Sequence, residues 1–125
     1  MARRNILLVS PWSDNEGLWV RGDETSEVKN NFPPLGLATI AALTPDDKYR
    51  VIIWDELVHG RIDKDTDFGC ALDLVGVTGY KTHFRRCREG SEIFRSKGIL
   101  TAAGGPGVSG SPKDYSGHFD ILFIN

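Results

Sequence analysis

Residues able to do chemistry gather in this sequence directly behind short apolar runs. Ser10-Pro11-Trp12 follows Ile6 to Val9, and Asp55-Glu56-Leu57-Val58-His59-Gly60 follows Val51 to Trp54. Thr78-Gly79-Tyr80-Lys81-Thr82 follows Leu74 to Val77, and Gly104-Gly105-Pro106 follows Ile99 to Ala103. Two adjacent glycines carry no β-carbons, so a ligand can lie against the bare backbone at Gly104-Gly105, although a plain turn would use the same residues. Thr78 and Thr82 offer hydroxyls, with backbone amides, beside an expected helix start, where phosphate or amide groups can be held. Capping that helix is the simpler role for either threonine. His59, His83 and His118 sit on different segments without metal-ligand spacing, so no protein-only metal site is expected.

The elements that must position these residues follow from the apolar pattern. Five runs of strand length recur, the last being Ile121 to Ile124, and none alternates cleanly between apolar and polar. Unbroken apolar character suits strands covered on both faces, as in a parallel sheet between helical layers. Leu35 to Leu43 is apolar almost throughout behind Pro33-Pro34, which predicts a deeply packed helix with Pro34 at its first position. Lys81 to Lys97 places Phe84, Cys87, Gly90 or Ser91, and Phe94 on one stripe. Arg85 with Glu89 and Arg88 with Glu92 form four-residue pairs on the other side, and Gly98 provides a left-handed stop. Ile62 to Leu72 leaves room for one or two helical turns, and Ser111 to Gly117 for one short helix. The alternation predicts an α/β fold: a flavodoxin-like, doubly wound, five-stranded parallel sheet in the order 2-1-3-4-5, with helices on both faces. In such a sheet ligands bind outside the carboxyl ends of the strands, where the segments above fall.

Composition narrows the function classes. The chain has 125 residues with 40% hydrophobic content, enough for one core and one domain over 1–125. A formal charge of −2 gives no electrostatic reason to expect nucleic acid or an anionic membrane as partner. No apolar run approaches the roughly 20 residues that span a bilayer, and Asn5 to Val9 is too short for a signal-peptide core. Cys70 and Cys87 have no C-x-x-C spacing; they are expected as reduced thiols, Cys87 in the core, which suits a cytoplasmic protein. Pro11 to Phe32 breaks the pattern as a long connection carrying Trp12, Trp19 and Phe32, whose flat surfaces a planar ligand, a neighbouring domain or the sheet edge would cover.

Taken in order, these motifs resemble the cobalamin-binding domain at the N-terminus of many radical S-adenosylmethionine enzymes. The resemblance runs over nearly the whole chain: Asn5 to Ser10, Phe32-Pro33-Pro34-Leu35-Gly36-Leu37-Ala38, Val51-Ile52-Ile53-Trp54-Asp55, Asp73-Leu74-Val75-Gly76-Val77-Thr78 and Gly104-Gly105-Pro106. The wider cobalamin-binding superfamily carries D-x-H-x-x-G, then S-x-L, then G-G. Asp55 and Gly60 match the first motif with Leu57 in place of its cobalt-ligating histidine, Thr78-Gly79-Tyr80 keeps only the hydroxyl of the second, and Gly104-Gly105 matches the third, 26 residues beyond Thr78.

The resemblance implies cobalamin bound base-off, with its tail near Thr78 and Gly104-Gly105 and its corrin across the strand ends, touched by Trp12, Leu35 and Leu57. Ser10, Asp55, Gly60, Gly79, Thr82 and Pro106 complete the expected cofactor-binding set. An aliphatic Leu57 leaves the lower cobalt position empty or water-bound, although His59 stands two residues away. The resemblance further implies a parent methyltransferase or cyclase with a catalytic barrel that would hold S-adenosylmethionine and an iron–sulfur cluster. The C-x-x-x-C-x-x-C motif of such a barrel does not occur in this sequence, so the chain is expected to be a module that binds without turning over. Two other readings remain: a ligand-free interaction domain, and a nucleotide- or flavin-binding module. Neither G-x-G-x-x-G nor a hydroxyl-rich phosphate loop follows the first strand, however, and a receiver's acidic residues are missing there too.

Overall fold

A computed structural model describes residues 2–12 and 34–125. Trp19, Phe32, Pro33 and most of the long connection lie outside the described residues. Five strands, β1 (Arg4–Ser10), β2 (Tyr49–Asp55), β3 (Leu74–Thr78), β4 (Leu100–Gly104) and β5 (Ile121–Leu122), form one sheet in the order β2-β1-β3-β4-β5. Every pairing is parallel. The flavodoxin-like α/β order expected from the sequence is therefore the observed one.

Register explains why these runs are apolar. Leu7 pairs with Val75 and Val9 with Val77, while Val75 and Val77 lie opposite Thr101 and Ala103. Side chains alternate across a strand, so these residues share one face. That face carries the main core, closed by Cys87 and Phe94 of α3 (Phe84–Ser96) and by Tyr115 and Phe119 further on. Burial pushes the Cys87 thiol up to about 12, so it behaves as a packed, unreactive group.

Among the described residues the opposite face is thinner. Leu8 and Leu37 are buried there, and a β-carbon on Gly76 would stand 3.1 Å from Leu8 Cδ2. The covering helix α1 has the expected bounds, Leu35–Leu43, with Pro34 one position earlier as its cap. The expectation of deep packing fails, since Leu37 is its one buried residue and Leu35 and Leu43 are 70% and 80% exposed. Apolar residues all round a helix do not select a buried face, and here the sheet accepts only one of them.

The remaining connections are short. A single turn, α2 (Glu56–His59), follows β2 directly, and Ile62 to Leu72, which had room for one or two helical turns, contains none. Its acidic side chains bond their own backbone instead: Asp63 Oδ1 accepts from the Asp65 N–H (2.8 Å) and Asp67 Oδ1 from the Gly69 N–H (2.7 Å). A 3-10 turn (Lys81–His83) leads into α3, which ends at Gly98 with φ +74°, the expected left-handed stop. α4 (Pro106–Gly110) and α5 (Pro112–Tyr115) fill the last crossover, and both open on a proline. Among the described residues no helix is long and apolar enough to cross a membrane.

Candidate functional site at the carboxyl ends of the strands

The sheet brings four of the segments singled out by sequence to one edge. Ser10 and Asp55 are register partners at the ends of β1 and β2, and Thr78 and Gly104 are partners at the ends of β3 and β4. Pro11-Trp12, α2, Gly79-Tyr80 and Gly105-Pro106 continue from those ends. Leu35 opens α1, and Thr82 lies exposed in the 3-10 turn.

Asp55 is buried and caps α2, its Oδ1 accepting from the Leu57 N–H at 3.0 Å. The cap fixes the start of the turn on which half-buried Leu57 sits. Gly60 closes the turn with φ +99°, its N–H donating to the Glu56 carbonyl (3.2 Å) while its own carbonyl accepts from Trp54 Nε1 (2.9 Å). His59 is held on this turn. The Asp55 N–H donates to its Nδ1 at 3.0 Å, and its ring lies 5.2 Å from that of Trp54.

Across the sheet, the glycines let the loops behind β3 and β4 touch. Gly105 has φ +98°, and a β-carbon there would stand 2.5 Å from Thr78 Oγ1. One on Gly107 would stand 2.8 Å from the Gly79 carbonyl oxygen, which accepts from the Gly107 N–H at 2.9 Å. The space beside Gly104 is bordered by Phe123, whose Cβ would lie 3.4 Å from an added β-carbon. The missing β-carbons thus serve close approach of chain to chain. Neither Thr78 nor Thr82 caps a helix; the Tyr80 N–H instead donates to Nδ1 of buried His83 at 2.9 Å.

The residue that sequence reading missed is Glu56. It is 2% exposed, yet its carboxylate receives four N–H donors. Oε1 accepts from the Trp12 N–H (3.0 Å) and Arg86 Nε (2.8 Å), and Oε2 from the Ile62 N–H (2.7 Å) and Arg86 Nη2 (2.5 Å). Arg86 also donates to the Ile62 carbonyl (2.6 Å) and to Glu89 (3.2 Å). The Glu56 side chain holds the Arg86 guanidinium above its ordinary range despite the opposing effect of burial. An apolar-stripe reading of α3 shows Arg86 only as surface charge, and Glu56 lies 30 positions away with no local pattern to pair them. The expected Arg85–Glu89 pair is present at 3.2 Å. Arg88 lies over the Phe84 ring, 5.8 Å from its centroid.

Two further features mark the edge. The Arg61 guanidinium lies 5.2 Å from the centroid of the Trp12 ring, giving that half-buried aromatic a cationic cover. Tyr115 OH is the one buried side-chain oxygen or nitrogen without a hydrogen-bond partner among the described residues, and it would lie 2.8 Å from a β-carbon on Gly107. Burial raises the Tyr115 hydroxyl to about 12, so it stays protonated. Among the described residues no group of three His, Cys, Asp or Glu side chains is placed to hold a metal ion.

Among the described residues the edge presents the Thr78 and Thr82 hydroxyls, a flat indole at Trp12 and an aliphatic turn at Leu57, while the Trp12, Leu57, Tyr80 and Gly107 amides are taken within the chain. These groups are compatible with an apolar ligand body, and Leu57 offers no atom that ligates a metal. No protein-family model, curated protein or solved structure matches the chain.

Proposed function

We propose that this chain is a cobalamin-binding module that holds the cofactor base-off, with no protein ligand on cobalt. We further propose that it serves as the N-terminal part of a radical S-adenosylmethionine enzyme such as a methyltransferase or cyclase. One observation carries the reading. The segments resembling the three cobalamin motifs meet at the carboxyl edge of a sheet ordered 2-1-3-4-5, with Leu57 on the turn where the histidine would stand.

In this reading Thr78, Gly79, Thr82, Gly104, Gly105 and Pro106 hold the tail, while Ser10, Trp12, Leu35, Asp55, Leu57 and Gly60 underlie the ring. Asp55 positions the turn through its cap, and Leu57 keeps the lower face apolar. Bound cobalamin would supply methyl-carrier or electron-transfer chemistry, and Leu57 would offer it no protein ligand. The compartment proposed is the cytoplasm, and the partner is the S-adenosylmethionine barrel with its iron–sulfur cluster.

The test is retention of hydroxocobalamin through gel filtration by the wild type and by Gly104→Leu. Retention by the wild type, lost in the variant with an unchanged circular dichroism spectrum, supports the placement. Equal affinity in both removes the tail from Gly104. A second reading, a ligand-free docking domain, has its support in α1, where Leu35, Ile40 and Leu43 are each more than half exposed. That reading predicts no cobalamin retention by either protein.

A further inference from the structure

The four donors converging on Glu56 form an anion-binding arrangement. Two are backbone amides from segments far apart in sequence, Trp12 directly behind β1 and Ile62 beyond α2, and two come from one guanidinium. Backbone amides joined with an arginine fork are what proteins present to carboxylates and phosphates. In doubly wound sheets the loop behind the first strand, beside the point where strand order reverses, is a usual place for a ligand phosphate. That reversal falls between β1 and β3 here, and in that loop the Trp12 amide already donates to Glu56.

We propose that Glu56 is an internal anion occupying an oxyanion site built from the Trp12 and Ile62 amides and Arg86, and that it determines specificity by denying the β1 end of the edge to phosphate. A carboxylate that is 2% exposed and four-fold hydrogen-bonded is not displaced by a soluble phosphate, which would have to strip its own hydration and leave Glu56 buried without partners. Ligands carrying phosphate at that position, such as mononucleotides and flavin nucleotides, are thereby excluded. Ligands contacting the edge through apolar surface and amides are not. The inference concerns the empty chain and does not rest on cobalamin binding.

Removing the occupant opens the site. Glu56→Ala keeps the β-carbon and deletes one methylene with its carboxylate, a fragment that acetate reproduces. The full chain carrying Glu56→Ala should lose roughly 10 °C in Tm, the scale on which loss of one partner from a buried ion pair acts in a domain of this size. Acetate should restore much of that loss saturably, whereas chloride at equal ionic strength should not. In nitrogen-15-labelled protein, acetate should shift the Trp12 and Ile62 amides of the variant, and inorganic phosphate should leave both unmoved in the wild type.

A variant that folds only when acetate is present supports the proposal as strongly as a restored Tm. A variant that folds without responding to acetate overturns it, as does one that fails to fold even with acetate. Saturable movement of the two wild-type amides by phosphate also overturns it, because the site would then not be filled.

Discussion

Gly105→Ala offers the sharpest test of how the loops behind β3 and β4 fit together. Gly105 has φ +98° and ψ −177°, a region open essentially to glycine alone, and occupying it costs another residue about 1–3 kcal/mol. The added β-carbon would also stand 2.5 Å from Thr78 Oγ1, an overlap whose relief costs about 1–3 kcal/mol. Because the hydroxyl can rotate, the lower half of the second range applies, which gives about 2–5 kcal/mol in total. Urea denaturation followed by circular dichroism reads this as a midpoint lowered by roughly 1–2.5 M at an unchanged slope.

The two causes separate in a double-mutant cycle. In a Thr78→Ala background Oγ1 is gone, and the nearest remaining atoms, Gly79 N and O, lie at an ordinary 3.4 Å. Gly105→Ala should therefore cost about 1 kcal/mol less there than in the wild type. A change below about 0.5 kcal/mol for Gly105→Ala in the wild type would refute the conformational argument. A cycle without coupling would refute the contact with Thr78.

Other outcomes follow from the same geometry. Gly90→Ala, inside α3 with nothing within 4 Å of the new β-carbon, should raise stability by about 0.5–1 kcal/mol in the same urea assay, and a loss would show the site to be crowded. Hydrogen bonds from the Thr101 N–H and then its hydroxyl hold Asp120 below its ordinary 3.8, so it contributes stability above that value and loses it as pH falls through the lowered folded value. Asp120→Asn should flatten this acid limb in thermal melts taken from about pH 5 downward, and an unaltered pH profile would remove Asp120 as its source. Leu57→His should convert the absorption spectrum of bound cobalamin to a histidine-ligated one, and an unchanged spectrum with retained binding would place residue 57 away from cobalt.

The strands were legible because their apolar runs are separated clearly enough to fix their type, although β5 takes only Ile121–Leu122 of the expected Ile121 to Ile124. The same unbroken character misled at α1. Residues Leu35 to Leu43 are apolar on every side, so composition indicated depth where the structure leaves Leu43 80% exposed. Asp63 and Asp67 lie in the segment with room for a helical turn, but their carboxylates accept from the backbone amides two residues on and favour turns over helix. The edge segments were legible from the rule that places sites behind parallel strands, whereas the contact of Gly105 and Gly107 with the Thr78-Gly79 loop is tertiary and leaves no periodic trace. The Glu56–Arg86 pair is the clearest limit: each residue sits in a charged local context, and only the fold joins them.

The most direct measurement is an ultraviolet–visible titration of the purified chain with hydroxocobalamin and methylcobalamin, with gel filtration to check that colour travels with protein. The account predicts stoichiometric retention with a base-off spectrum that shows no histidine ligation. Failure to retain either form, by a chain whose circular dichroism spectrum shows it folded, would contradict it. Retention with the benzimidazole still on cobalt would contradict the proposed seat for the tail.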